Sequence, residues 1–342
     1  MVVVPDDIPP LGEQYGGLVI SRGQEEKEVG ILEVEECGGL PLIDLEDLIR
    51  GEEGRGGDER KRRECAAAIC RASSEWGFFQ VVNHGISPEL MLKMRREQVK
   101  LFQSTFHTKS CCGVLDNSYR WGNPTASSPS QFSWSEAFHI PLAKISHHSC
   151  YGDDFTSLRE VLMEFAAAVS RLARLLAGIL AENLGHPRGV FGNVCNENNA
   201  FVRLNRYPAC PLSSQMFGLI PHTDSDFLTI LLQDQVGGLQ LLKDNKWVAV
   251  KPNQDALIVN IGDLFQAWSN DFYKSVEHKV MANAKMERYS IAYFLCPSYD
   301  SIIGSCKEPS VYKRFTFGEY RTQVQEDVKR IGHKIGLPRF LL

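Results

Sequence analysis

Residues 221–242 read "PHTDSDFLTILLQDQVGGLQLL". From Phe227 the run is rich in Leu, Ile and Thr; it breaks at Gly237-Gly238 and resumes at Leu239. That is the texture of short β-strands joined by tight turns. At its head stand a His and an Asp two residues apart, His222 and Asp224. Alternate residues of a strand share a face, so both are expected to point to one side. Such a pair is either a polar accident at a strand edge or part of a larger constellation.

The surrounding sequence extends the β texture. "AFVRLNRYPAC", "FLTILLQD", "GLQLLKD", "KWVAVKP", "ALIVNIGD", "KSVEHKVMA" and "RYSIAYFLCP" are short strands separated by Gly, Pro, Asn and Asp. Strands roughly a dozen residues apart predict an antiparallel barrel or double-sheet roll. Upstream, residues 1–38 are punctuated by Pro and Gly and predict an extended surface arm. "GEEGRGGDERKRR" (51–63) predicts a solvated loop carrying Lys61-Arg62-Arg63, followed by a helix from Glu64. "FFQVVNHGI" (78–86) is a buried strand, and Ser87-Pro88 start a helix as cap and first residue. Residues 108–156 carry few helix signals, and a connection of that length usually covers a site. Helices follow at about 155–185 and 187–193, and "FTFGEYRTQVQEDVKRIGHKIG" (315–336) closes the chain as a helix. The division is an arm (1–38), a helical region (39–195) and a β domain with a C-terminal helix (196–342).

Composition excludes several classes. The 342 residues are 43% hydrophobic and 23% charged with a net charge of −5. That balance suits a soluble globular protein and gives no reason to expect a nucleic acid or an anionic membrane as partner. Ten cysteines are scattered without a C-x-x-C pair, so neither a disulfide framework nor a structural zinc is expected. "MVVVPDDIPPLGEQYGG" has no basic n-region and no long apolar core, so no signal peptide is expected. The longest apolar stretch, 161–180, contains Glu164, Arg171 and Arg174 and reads as an amphipathic helix. The expected location is the cytoplasm, with the nucleus open.

The His222/Asp224 pair leaves room for one more protein ligand. In "KSVEHKVMA" (274–282), His278 alternates with apolar Val276 and Val280 and is expected to face inward. Two His and one carboxylate make the facial triad suited to non-haem Fe(II), with zinc as the rival metal. The next strand, "ERYSIAYF" (287–294), places Arg288, Ser290, Ala292 and Phe294 on one face. A buried Arg requires an anion, and a carboxylate matches its forked donors. Tyr207, in "LNRYP" (204–208), enters the same core. Arg288, Ser290 and Tyr207 beside a metal would seat a dicarboxylate.

His222-x-Asp224, His278, Arg288-x-Ser290, "NRYP" (205–208) and "EWGFFQVVNHGI" (75–86) together resemble the plant iron(II)/2-oxoglutarate-dependent dioxygenases, from about residue 38 onward. The resemblance implies an α+β chain with a mainly β core: a double-stranded β-helix (jelly roll) flanked by N-terminal helices and a C-terminal helix. It implies that His222, Asp224 and His278 hold Fe(II), and that Arg288, Ser290 and Tyr207 bind the distal carboxylate of 2-oxoglutarate with help from Asn205. It also implies O2 as oxidant, succinate and CO2 as by-products, and ascorbate as reductant.

"NSYRWGNPTASSPSQFSWSEAFHIPL" (117–142), the 222–242 run and "VNIGDLFQAWSNDFYKSVEHKV" (259–280) are similar to gibberellin oxidases, within them the 2-oxidases of twenty-carbon gibberellins. The implied activity is 2β-hydroxylation that inactivates a hormone precursor; a gibberellin 20- or 3-oxidase or a flavonoid oxygenase is the alternative. A diterpenoid acid needs an apolar, aromatic wall and a cation. Tyr119, Trp121, Phe132, Trp134 and Phe138 are candidates for the wall, with Phe294. Arg120 is either the carboxylate partner or a surface salt bridge. His84 is expected to be structural, and His147 and His148 carry no ligand role. Oligomeric state is not legible.

Overall fold

Alternation in five neighbouring strands sets the architecture: one set of side chains faces helices, the other faces a second sheet. The structure is a computed structural model and describes residues 6–20, 39–124, 126, 128, 131–147, 151, 155–192, 194–195, 199–212 and 216–342. The first half contains α1 (Leu11–Ile20), β1 (Leu42–Asp44), α2 (Glu46–Glu52), α3 (Glu59–Glu75) and β2 (Phe78–Val82). It continues with α4 (Pro88–Phe102), α5 (Phe106–Cys111), β3 (Tyr119–Trp121), β4 (Glu136–Pro141), α6 (Leu142–Ile145) and α7 (Thr156–Asn183). The second half runs β5 (Phe201–Tyr207), β6 (Phe217–His222), β7 (Leu228–Gln233), β8 (Leu239–Lys243), β9 (Lys246–Ala249) and β10 (Leu257–Ile261). After α8 (Asp263–Trp268) come β11 (His278–Met281), β12 (Arg288–Leu295), β13 (Ile302–Ile303), β14 (Phe315–Thr316) and α9 (Phe317–Ile331).

An eight-stranded sheet has the order β1-β2-β10-β7-β12-β5-β4-β3, and a four-stranded sheet the order β6-β11-β8-β9. Leu239, Leu241, Val248 and Val280 of the smaller sheet pack on Phe78, Tyr207 and Ile258 of the larger. The opposite face of the larger sheet carries Val202, Leu204, Ile230, Leu232, Val259, Ile291 and Tyr293, covered by α3, α4 and α7. This is the jelly roll, with helices on one side. No helix among the described residues is long and apolar enough to cross a membrane.

Several expectations need correction. Within the region 39–195 the expected strand at 78–86 is β2, and together with β1, β3 and β4 it supplies half of the larger sheet. Strands β3 and β4 were hidden by Ser and Pro punctuation, and pairing with β5, such as Glu136↔Arg206, makes them strands. Residues 11–20 form a helix rather than an extended arm, because Leu11 and Tyr15 bury completely and Tyr15 stacks on Phe132 at 4.3 Å; 1–5 and 21–38 lie outside the described residues. Lys61-Arg62-Arg63 is solvated but helical. Asp58 caps α3, accepting from the Arg60 and Lys61 amides, so the helix starts five residues before the expected Glu64. The Ser87 cap and Pro88 start of α4 are as expected.

Behind the larger sheet, three charges are buried together. Lys109 Nζ donates to Glu136 Oε2 at 2.6 Å, and Arg206 Nη1 donates to Glu136 Oε1 at 3.1 Å. Lys109 also donates to the Phe102 carbonyl, and Arg206 pairs with Asp7 and Glu287. Glu136 is the only carboxylate within ion-pair distance of Lys109 among the described residues. Glu136→Gln therefore leaves a buried ammonium uncompensated and is expected to destabilise by about 3–5 kcal/mol. Replacing the exposed Arg60 of the Arg60–Glu64 pair should cost less than about 1 kcal/mol. Denaturant unfolding midpoints of the two variants check the contrast.

Candidate active site

Strand β11 pairs antiparallel with β6 so that His278 lies directly opposite His222. Their ring centroids are 4.3 Å apart. His222 is the last residue of β6, and Asp224 lies just beyond it. The expectation of one strand carrying both is thus corrected. The chain beyond β6, ahead of the bend at 225–227, brings Asp224 to the same point: its Oδ1 is 3.7 Å from His222 Nε2 and 3.8 Å from His278 Nε2. The three donor atoms lie within 4.8 Å of one another, the single such group among the described residues.

Hydrogen bonds fix which atoms face the centre. His222 Nδ1 is 2.8 Å from the Ile220 carbonyl and His278 Nδ1 is 3.0 Å from the Val276 carbonyl. A carbonyl only accepts, so each Nδ1 carries the proton and each Nε2 presents a lone pair. Asp224 Oδ2 accepts from Thr229 Oγ1 at 2.6 Å and Asn260 Nδ2 at 2.8 Å, leaving Oδ1 free for the centre. Burial pushes the His222 imidazole down to about 3, keeping it neutral. Burial opposes charge on Asp224, yet the imidazoles and the two hydrogen bonds hold its carboxyl down to about 2. Two imidazole nitrogens and one carboxylate oxygen are a donor set that fits Fe(II).

The triad sits in a cavity of about 320 Å³ whose far wall is the inner face of β5 and β12. Arg288 is only 2% exposed. Its Nη2 donates to Gln233 Oε1 at 2.9 Å and its Nη1 to Ser290 Oγ at 3.4 Å. Its guanidinium lies 4.9 Å from the Tyr207 ring centroid, and its buried Nε has no hydrogen-bond partner. No carboxylate pairs with it among the described residues. Asn205 Nδ2 donates to Ser290 Oγ at 3.4 Å. The geometry is a guanidinium and hydroxyl with unspent donors, backed by an aromatic ring.

The aromatic-wall expectation largely fails. Phe294 lines the cavity, stacked on Phe201 at 4.3 Å. Tyr119 instead points to the helical side, where it donates to Glu136, because β3 follows the alternation of β4. Trp121 packs on Phe106, while Trp134 and Phe132 sit beneath Tyr15. Phe138 faces Phe102 on the helical side. Arg120 donates to the Asn117 and Tyr119 carbonyls and borders a separate cavity of about 180 Å³ that meets the larger one at His139. His84 is buried, accepting from the Ile86 amide, as a structural residue should. His147 is exposed, and His148 lies outside the described residues. The cavity also contains His139, Phe201, Arg203 and Arg321, which sequence reasoning missed. Parity from Tyr207 back through Asn205 would have found Arg203 and Phe201; nothing in the sequence places Arg321.

Two family descriptions match: the 2OG-Fe(II) oxygenase superfamily over residues 198–297, and the N-terminal region of non-haem dioxygenases in morphine synthesis over residues 40–155. Gibberellin 2-beta-dioxygenase 6 of Oryza sativa subsp. japonica is 56% identical, covering 97% of this chain and 95% of its own. Gibberellin 2-beta-dioxygenase 8 of Arabidopsis thaliana is 51% identical, covering 97% and 98%. A solved structure of JOX2 in complex with 2OG, Fe and JA is 32% identical with a TM-score of 0.67, covering 89% of this chain and 92% of that one.

Asn260→Leu removes a donor to Asp224 Oδ2 without touching the three-donor cluster. It is expected to weaken Fe(II) binding roughly 10–100-fold, the usual cost of losing an outer hydrogen bond. Anaerobic metal titration checks this; unchanged affinity would mean that Thr229 alone orients the carboxylate.

Proposed function

The chain belongs to the 2OG-Fe(II) oxygenase superfamily, and from that membership we propose that it hydroxylates twenty-carbon gibberellins at the 2β position, inactivating a hormone precursor. It is an Fe(II)- and 2-oxoglutarate-dependent dioxygenase that uses O2. The observation that carries the reading is one cavity holding both the His222/Asp224/His278 cluster and the buried, carboxylate-free Arg288. The named functions of relatives 45–56% identical support the substrate.

The residues divide the work. His222, Asp224 and His278 would hold the Fe(II). Bound Fe(II) with 2-oxoglutarate supplies the oxidation: O2 splits the keto acid to succinate and CO2 and leaves one oxygen atom for an unactivated C–H bond. Arg288 and Ser290 take the distal carboxylate of 2-oxoglutarate, Tyr207 supports the guanidinium, and Asn205 holds Ser290 in place. Leu231, Leu239 and Val280 line the cavity and keep water from the reacting atoms. Phe294 and Phe201 offer a flat apolar wall to a fused-ring hydrocarbon. No side chain is needed as general base. Ascorbate serves as the reductant, and the site of action is the cytoplasm.

The direct test follows succinate and gibberellin products with Fe(II), ascorbate and 2-oxoglutarate, with and without a twenty-carbon gibberellin. Succinate coupled to a 2β-hydroxylated product is expected; succinate coupled to another hydroxylated acid would keep the chemistry and reject the substrate. Asp224→Ala is expected to abolish turnover. Arg288→Ala should raise the KM for 2-oxoglutarate roughly 10–100-fold, the loss of one charged hydrogen-bonding group. Full activity in Asp224→Ala would sink the assignment.

A further inference from the structure

Strand β5 carries two arginines on opposite faces, and the fold treats them differently. Arg206 points to the helical side and is met by Asp7, Glu136 and Glu287. Arg203 points into the iron cavity, and no carboxylate pairs with it among the described residues. Its cross-strand neighbour on β12 is Ala292 and on β4 is His139. A one-carbon side chain on one flank leaves its guanidinium uncovered. Arg321 enters the same cavity from α9. Its guanidinium lies 5.9 Å from the Phe317 ring centroid, and among the described residues no carboxylate pairs with it. Both are half-buried, so each is partly stripped of water without a counter-ion, which a bound anion would supply.

That anion is not the co-substrate. Along β5 and β12 the inward pairs run Tyr207/Arg288, Asn205/Ser290, Arg203/Ala292 and Phe201/Phe294. Four residues of strand separate Arg203 from Tyr207, about 13 Å. A five-carbon dicarboxylate has two carboxylates: in the reading above one meets Arg288 and Ser290 and the keto acid end goes to the His222/Asp224/His278 cluster, which leaves none for Arg203. Between these ends lie Asn205 and Ser290, and at the Arg203 end the wall turns apolar: His139, Phe201 and Phe294 stack in sequence at 4.0 and 4.3 Å. Burial and the nearby Arg203, Arg321 and Arg120 push the His139 imidazole down to about 4, so it adds no charge.

We propose that Arg203 and Arg321 form the seat for the substrate's carboxylate, with the His139–Phe201–Phe294 stack as the wall for its hydrocarbon skeleton. This rests on the gibberellin reading and deepens it. A carboxylate clamped by two guanidiniums at one end fixes which C–H bond faces the metal at the other, which is how remote contacts set position. The pair takes the role that Arg120 was expected to fill.

The test compares a twenty-carbon gibberellin acid with its methyl ester in the wild type, Arg203→Met, Arg321→Met and Arg203→Lys. The wild type is expected to prefer the acid. Each Met variant should lower kcat/KM for the acid roughly 10–100-fold and erase most of the preference over the ester, with the KM for 2-oxoglutarate within about twofold of wild type. Arg203→Lys should recover part of the preference, since it keeps the charge and loses the fork. An unchanged acid-to-ester preference, or a loss that appears equally in the 2-oxoglutarate KM, overturns the seat. If the wild type oxidises no gibberellin, the substrate reading fails, and the seat is then read by anaerobic calorimetry with dodecanoate in the presence of 2-oxoglutarate. Binding to the wild type that is lost in the double Met variant sustains the seat for another apolar acid; equal binding, or none, rejects it.

Discussion

Two backbone carbonyls, those of Ile220 and Val276, decide which nitrogen each imidazole turns toward Asp224. Each lies two residues before its histidine, so the same local device is used on two paired strands. The pairing of His222 with His278 then sets the separation of the rings, and Thr229 and Asn260 select one oxygen of Asp224. These residues come from β6, β7, β10 and β11 and from the two connections that hold Asp224 and Val276, so the site exists only where both sheets are assembled. Buried metal donors need such outside partners because a free imidazole or carboxylate would rotate to find them.

Charge placement in the larger sheet follows one rule on both faces: a buried cation is tolerated where an anion meets it. Behind the sheet the anions are built in, as Glu136 serves Lys109 and Arg206. Inside the cavity, among the described residues, no carboxylate pairs with Arg288, Arg203 or Arg321. Breaking the first kind of pair costs stability, while leaving the second kind open reserves the same electrostatic gain for ligands. Strand alternation alone separates the structural Arg206 from Arg203, three residues earlier on the opposite face.

The β texture of 227–295 and the parity of Arg288, Ser290 and Phe294 were legible because that strand is buried on both faces and keeps a period of two. His278 was found the same way. Asp224 was placed correctly although β6 stops at His222, so the residue lies beyond the strand that was expected to carry it. The aromatic segment 119–138 misled because aromatic richness signals burial without saying on which side. Only the register of β4 against β5 sends Tyr119 and Phe138 toward the helices and His139 into the cavity. Helix α1 and residue Arg321 were illegible for a related reason: both are positioned by contacts with distant sequence, not by local pattern.

The C-terminal segment ties these levels together. Lys334 donates to the Thr223 carbonyl and to Ser225 Oγ, and pairs with Asp263 Oδ2 at 2.6 Å. Asp263 also accepts from Thr223, Ser275 and Tyr320, and its amide donates to the Asp224 carbonyl. The connection that carries Asp224 is therefore bracketed by α8 on one side and by α9 and its following turn on the other. Tyr320 and Arg321 are consecutive on α9: one grips the aspartate behind that connection, the other faces the cavity. The capping box of Thr316 and Glu319 fixes where that helix begins, three residues before Tyr320 is reached from Phe317. A shift of α9 would disturb the Asp224 connection and the proposed carboxylate seat together, so the distance between metal and seat is held by one rigid element rather than by two loops.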